Sequence, residues 1–359
     1  MKPTCKCIDL IMFPPENKDE FHSKPAGRYL SLHNLYKNIK KIFEQIISEF
    51  KQLSLFEKIE KLGALSVIIV FIIEIPRISN FSKIKEQEIF AAWQVLKNSQ
   101  GSQSEVPRLA LERLNKEGFS LSGINAEKTN LTKIKLNDAN LSNAKLSNTS
   151  LYDARLSGAN FSNATLIKAN LSRANLSQSD FSNADLTDAN LRETKLTYAT
   201  VRKANLSSAN LIKANLSASN LSNTNLSAVN LTNAYIFDTN LSGTNLSNAR
   251  LSAAYLSDTN LSGANLSNAN LFNTRLERVN FSGANLSGAD LTGVDLSNAE
   301  FMGVDLTDAD LNGTKFWSEK DEAKYITPEQ IKQARNWDKA IYSPKFRKKL
   351  SLSPQDSED

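Results

Sequence analysis

Hydrophobic residues recur at every fifth position through more than half of this chain. From Leu131 to Phe316, all 38 positions spaced by five are Leu, Phe, Val or Ile. Two residues before each of them stands a small or β-branched residue, the residue between is most often Asn or Asp, and the residue after is most often Ser. The repeating unit is therefore a pentapeptide of the form Ala-Asn-Leu-Ser-x.

A period of five fits neither an α-helix nor a continuous β-strand. In a helix, five residues advance about 500°, so the large apolar side chains would spiral around the cylinder. In a strand, an odd spacing places successive side chains on opposite faces. Only a chain that turns once per unit can bury all of these side chains together, and the pattern therefore predicts a solenoid.

A second period indicates the shape of the coil. The rings of Phe161, Phe181, Phe281 and Phe301 are separated by multiples of twenty residues. This spacing favours four units per coil, with one interior edge wide enough for aromatic rings. The predicted core residues include Leu131, Leu146, Leu151, Phe161, Phe181, Leu206, Leu226, Phe281 and Phe301.

With this repeat the chain resembles the pentapeptide-repeat proteins over roughly 200 of its 359 residues. The resemblance implies a mainly β fold, a right-handed quadrilateral β-helix with the central Leu and the preceding small residue pointing inward. Coils spaced by about 4.8 Å would then form a rod of roughly 45 Å. The stretches EIP…AAWQV…LERLNKEG and ITPEQIKQARNWDKAIYSPKFRKKL are similar to those of membrane-associated members of the family, common in cyanobacteria.

Helical segments are predicted at both ends of the rod. Before it, a helix over Pro107–Lys116 should end at Gly118, since glycine is favoured just beyond a helix C-terminus. After it, Thr327 to Gln330 form a capping box with Pro at the first helical position, and a longer helix should follow. Three tryptophans, Trp93, Trp317 and Trp337, are expected to pack as lids rather than to form an aromatic binding site.

An apolar run before the rod raises the question of a membrane segment. Leu62 to Ile73 contains only Ser66 as a polar residue, but these twelve residues fall short of the ~20 needed to cross hydrocarbon. Packing within the protein is therefore one interpretation. The other is a single-pass membrane segment over 62–78 in contact with lipid, which the resemblance favours, with the rod predicted on the cytoplasmic side because no export signal is seen.

The resulting division of the chain has six parts. Residues 31–61 carry apolar residues every three or four positions, so this amphipathic helix would lie on a membrane or pair with a second copy in a homo-oligomer. The predicted parts are 1–30, a polar and flexible N-terminus; 31–61, this helix; 62–78, the membrane segment; 83–120, a helical N-terminal cap; 121–317, the β-helix; and 318–359, a helical C-terminal cap and tail.

Residues that carry enzyme chemistry are missing from the repeats. Both histidines and both cysteines, Cys5 and Cys7, precede them, the serines follow the repeat, and there is no phosphate-binding Gly-rich loop. Outward acids such as Asp290 and Asp295 should be spread around the rod by four-sided winding rather than converge on one ion. We therefore predict no enzyme activity, no cofactor and no metal site.

Charge narrows the classes of partner. The formal net charge is +5, with bases concentrated early in the rod and six acids without bases between 279 and 314. This balance argues against a uniform nucleic-acid binder. The favoured hypothesis is a membrane-tethered scaffold that binds unidentified protein partners. The alternatives are a soluble interaction or regulatory module and, more weakly, a DNA-mimicking topoisomerase inhibitor, an activity that the resemblance suggests.

Overall fold

The computed structural model describes residues 86–95, 101–317 and 323–353. Residues 86–95 are helical (α1). Further helices are α2 (Val106–Lys116), α3 (Pro328–Lys332) and α4 (Pro344–Leu350), with a 3-10 turn at Trp337–Lys339. The predicted segments 1–30, 31–61 and 62–78 lie outside the described residues, as do Cys5 and Cys7.

Between α2 and α3 the chain winds as a four-sided coil. The residue before the central apolar position of each unit forms a parallel bridge with the residue twenty positions later, from Asn125 with Lys145 to Asp295 with Lys315. Because the period is twenty and each unit has five residues, one coil contains four units. The pairing consists of isolated bridges, and the described residues contain no continuous strand.

Turns at each corner explain why the unit has five residues. The N–H of Ile134 donates to the carbonyl of Leu131 at 3.1 Å, and Lys133 between them has a φ of 60°. This left-handed conformation recurs at nearly all equivalent corners, where Asn, Asp and Gly are common because they adopt it at least cost. Each corner therefore rotates the chain onto the next face.

The interior is a continuous apolar core. All nine core residues predicted from the repeat are at most 1 % exposed. Phe161 and Phe181 stack with their centroids 4.7 Å apart, and Phe281 and Phe301 stack at 5.5 Å, so the ring column predicted from the period of twenty exists. The hydroxyls of inward threonines donate hydrogen bonds to nearby backbone carbonyls, as the hydroxyl of Thr149 does to the carbonyl of Ala126 at 2.7 Å.

The N-terminal edge of the coil is closed by α2. Leu111 and Leu114 are fully buried, and Glu112 accepts a hydrogen bond from the backbone N–H of Lys135 at 2.9 Å. Trp93 of α1 is half-buried and packs against the same core. Gly118 has the expected positive φ, 79°, and its N–H donates to Asn115, which ends the helix.

The C-terminal edge is closed differently from the prediction. The capping box of Thr327 and Gln330 is present, but α3 ends at Lys332 rather than continuing through Trp337. Arg335 and Ile341 instead donate backbone hydrogen bonds to Ala309 and Thr314 at 2.8 Å. The open edge of the last coil needs backbone partners, and this need overrides the helical periodicity. Trp337 is half-buried against the core, and Trp317 is also half-buried.

The prediction of a single-pass membrane protein is wrong. Within the part of the chain that the structure describes, no helix is both long and apolar enough to span a bilayer. The longest helix that lies wholly within the described residues, α2, has 11 residues and extends about 16 Å, against a hydrocarbon core of about 30 Å.

Candidate interaction face

The four faces of the coil differ in the residues that form the bridges. We call the residue before the central apolar residue of each unit the ladder position. On three faces this residue is usually Asn or Asp: 7 of 9 positions between 140 and 300, 8 of 10 between 125 and 305, and 8 of 10 between 130 and 310. On the fourth face only 3 of 10 are Asn or Asp.

This fourth face, the basic–aromatic face, carries a distinct set of side chains. Five of its ten ladder residues are basic and two are Tyr, whereas the other three ladders together contain only two bases, Lys145 and Arg250. Its ladder runs Lys135, Arg155, Asn175, Lys195, Asn215, Tyr235, Tyr255, Arg275, Asp295 and Lys315.

The common ladder Asn stabilises the adjacent corner through a side-chain hydrogen bond, and most ladder residues of the fourth face cannot form this bond. At Asn140, the side-chain Oδ1 accepts the N–H of Ser142 at 3.1 Å, which stabilises the corner, and Asp180 does the same with Ser182 at 2.8 Å. Lys, Arg and Tyr have no acceptor that could replace it. Among the described residues, the backbone N–H groups of Thr197 and Phe237 accordingly have no protein acceptor.

In the N-terminal half of this face, basic side chains surround a depression of about 650 Å³, the cationic groove. Asn175 is the short ladder residue between Arg155 and Lys195, and Ser157 adds a further small side chain to the lining, so the surface is concave there. The basic residues of its lining are Lys133, Lys135, Arg155, Arg173 and Lys195, with Asp153 as the acid.

The groove cations lack acidic partners within the part of the chain that the structure describes. Among the residues that the structure describes, none of the five forms an ion pair within 4.0 Å. Arg173 is oriented by Tyr152, with Nη1 3.0 Å from the phenol oxygen and the guanidinium 5.8 Å from the ring centroid.

The C-terminal half of the face carries an aromatic cluster. Tyr235 and Tyr255 stack at 5.2 Å with their planes 11° apart, and Phe237 lies 6.2 and 6.1 Å from them. The guanidinium of Arg275 lies 4.8 Å from the centroid of Tyr255. Tyr235 is 41 % exposed, so the cluster offers apolar area with polar tips to solvent.

Charges at the corner beside this cluster are paired internally, unlike those of the groove. Arg278 binds Asp258 through two hydrogen bonds of 2.6 Å and also contacts Glu277. The guanidinium holds the pKa of Asp258 below its usual range. With one base and two acids, this corner has no excess positive charge, and the free positive charge of the face is concentrated in the groove.

The acids between 290 and 310 are distributed as four-sided winding predicts. Asp290 and Asp310 form a bridge on one ladder, and Asp295, Glu300 and Asp305 belong to the other three. Within the described residues, no group of three or more His, Cys, Asp or Glu side chains is arranged to hold a metal ion. The absence of a metal site and of catalysis stays a prediction.

The basic–aromatic face was not identified from the sequence. The signal was available, since Lys135, Arg155, Lys195, Tyr235 and Arg275 share one column when ladder positions are aligned with a period of twenty. The distribution of charge along the chain does not reveal this face, because residues that share a face are twenty positions apart. The core residues named above lie in the interior, and Trp93 and Trp337 pack against that core at the two ends of the rod.

Comparison with known proteins identifies the repeats. The sequence profile described as "Pentapeptide repeats" matches in eight copies between residues 120 and 317. No curated protein matches the chain.

One similar solved structure is that of HetL, a pentapeptide-repeat protein involved in heterocyst differentiation regulation from the cyanobacterium Nostoc sp. strain PCC 7120. HetL is 35 % identical to this chain, and the alignment covers 58 % of this chain and 96 % of HetL with a TM-score of 0.35. QnrB1, a plasmid-mediated fluoroquinolone resistance protein, is 21 % identical over 52 % of this chain and 88 % of its own, with a TM-score of 0.34. A pentapeptide-repeat protein of the Arabidopsis thaliana thylakoid lumen is 24 % identical over 41 % and 83 %, with a TM-score of 0.24. The profile match over more than half of its length shows that this chain belongs to the pentapeptide-repeat family, which implies a right-handed β-helix.

Proposed function

We propose that the protein is a non-catalytic interaction scaffold and that a partner protein docks on the basic–aromatic face. The observation that carries this proposal is the ladder of that face, where seven of ten positions lack the Asn or Asp that supports the corners elsewhere. Residues that depart from a locally favourable choice without a compensating contact are expected at functional sites.

The composition of the face supports a protein partner. Tyr and Arg are enriched among the residues that dominate protein–protein binding energy. Tyr235, Phe237 and Tyr255 form such a cluster, and their stacking holds the rings in place before binding. A preordered anchor loses little side-chain entropy when a partner docks.

The charges of this face do not favour the DNA-mimic alternative. A protein that imitates DNA must present rows of acids in place of phosphates. The ladder of the basic–aromatic face has five bases and one acid, and the other ladders are mostly uncharged Asn.

Photo-crosslinking from single ladder positions tests the proposal. A benzoylphenylalanine at Asn215 lies between the groove and the aromatic cluster, and one at Asn210 or Asn220 lies on a neighbouring face of the same part of the rod. In cells, we expect adducts to a defined protein from position 215 only. Adducts of equal yield from all three positions, or from none, contradict the proposal.

Replacement of the two face tyrosines with Asn, the most common ladder residue, provides a second test of the docking face. Tyr235→Asn and Tyr255→Asn should weaken capture about 5- to 30-fold each, the effect of removing a central tyrosine from an interface. The fold should tolerate both changes, because Asn occupies the ladder positions at Asn240 and Asn260 on the next face. Unchanged capture by both variants would place the partner elsewhere.

A further inference from the structure

We propose that the cationic groove binds an extended acidic segment of the partner protein, running along the rod. This inference rests on the proposed function and specifies the chemistry of the occupant. The groove comprises the five cations and small lining residues described above, so it combines a concave shape with positive charge that is unpaired within the described residues.

Charge supplies the first argument. Lys135 and Arg155 are bridge partners on adjacent coils, and like charges at directly opposed positions destabilise a sheet. Adjacent coils are about 4.8 Å apart, within the ~8 Å screening length at physiological ionic strength, so the groove cations repel one another. A ligand with several carboxylates relieves this repulsion, whereas the protein itself supplies only Asp153 as the acid in the lining.

Dimensions supply the second argument. Lys135 to Lys195 covers three coil steps, about 14 Å, which an extended peptide spans in four or five residues. Tyr235 lies two further steps along the same ladder, about 10 Å or three residues. The occupant is therefore a run of four or five acidic residues followed, about three positions on, by apolar residues that pack against Tyr235 and Phe237.

Single-stranded nucleic acid fits this face less well. Such ligands bind through bases stacked on aromatic rings. Tyr255 has Tyr235 stacked against it at 5.2 Å and the guanidinium of Arg275 at 4.8 Å from its centroid, so its faces are already occupied. The run of unpaired cations is also short, because Asp295 lies on the ladder beyond the aromatic cluster.

Fluorescence anisotropy with the full chain tests the inference. The probe is a labelled peptide of about twelve residues that carries five consecutive glutamates followed three positions later by Leu-Phe. We expect it to bind, and we expect the same peptide with Gln for Glu, and a thymidine oligonucleotide of about twelve nucleotides, to bind more weakly at equal salt. Tighter binding of either comparison ligand, or no binding of the acidic peptide, overturns the inference.

Matched variants identify the groove as the site. Arg155→Asn and Lys195→Asn should each weaken peptide binding about 2- to 5-fold and together about tenfold, as expected for exposed charge pairs. Lys145→Asn and Arg250→Asn remove the ladder bases of two other faces and should leave binding unchanged. Equal losses from both sets would mean that only net charge matters.

The outcome is separable from that of the proposed function. If the double groove variant keeps full partner capture in cells while Tyr235→Asn and Tyr255→Asn abolish it, the face remains the docking surface and the acidic occupant is refuted. If crosslinking at position 215 fails while the purified chain binds the acidic peptide through the groove, the groove stands and the cellular scaffold role falls.

Discussion

Lys195→Asn should stabilise the corner next to it while weakening the groove. On the same face, Asn175 accepts the N–H of Ser177 at 3.1 Å and Asn215 accepts that of Ser217 at 3.0 Å. These two residues lie one coil before and one coil after Lys195, so an Asn at 195 has the geometry to accept the N–H of Thr197 in the same way.

The expected gain is about 0.5–1.5 kcal/mol, the net contribution of a typical protein hydrogen bond. Lys and Asn are both disfavoured in strands, so propensity changes little. Among the described residues the Thr197 amide has no acceptor in the lysine form, so a new hydrogen bond worth about 1 kcal/mol should slow its exchange about fivefold. The substitution also removes one of five mutually repelling cations, which acts in the same direction.

Hydrogen exchange measured by mass spectrometry on peptides that contain Thr197 is the appropriate assay. A solenoid opens locally, and a single global unfolding temperature would average the effect away. The reverse change on another face, Asn210→Lys, is the control, because Asn210 accepts the N–H of Ile212 at 3.1 Å and that bond would be lost. Exchange at Ile212 should then become faster.

Faster exchange at Thr197 in the Lys195→Asn variant would refute the reasoning. It would mean that the lysine stabilises the coil through its own packing. The departure of this ladder from Asn would then have a structural cause, and the principal support for a docking face would be removed.

Further predictions concern the core and the C-terminal cap. Leu226→Ala should cost about 2–5 kcal/mol in local hydrogen-exchange protection, because the side chain is buried in an interior that cannot collapse; a loss below about 1 kcal/mol would show a loosely packed interior. The Asn336 amide lowers the pKa of Asp310, so this contribution to the cap is present above the unfolded pKa of about 3.9 and is lost as the pH falls through the lower folded value. Fluorescence of Trp337 should report acid opening of the cap, and Asp310→Asn should flatten that pH dependence; an unchanged profile would contradict the linkage.

The core could be predicted from the sequence because each interior position admits one kind of side chain. The coil is only four units in circumference, so a polar group at Leu146 or Phe161 has no alternative direction in which to point. A hydroxyl at the inward small position is tolerated because a neighbouring carbonyl is within reach, as for Thr224 and Val201 at 2.8 Å. The five-residue pattern of the sequence therefore identifies the buried positions directly.

The C-terminal cap could be predicted only in part. The capping box at Thr327 is a local feature, with its partners three residues apart, and the sequence contains all of it. The end of α3 is not local: Asn336 adopts a φ of 54°, and Ile341 pairs with Thr314 on the last coil. The sequence pattern within this segment therefore does not show that its backbone must pair with the edge of the last coil.

The basic–aromatic face illustrates how function can be sought in a repeat protein. In an ordinary domain a surface lysine is uninformative, because no reference residue exists for its position. Here the other ladders provide that reference: Asn is common, and its hydrogen bond to the corner explains why. A residue such as Lys195, which forms no ion pair within the described residues, must therefore be accounted for by something other than the coil, and its neighbours twenty residues away indicate what it serves. Because the substitutions that test binding are also returns to the favoured residue, a loss of binding without a loss of stability would separate the two roles directly.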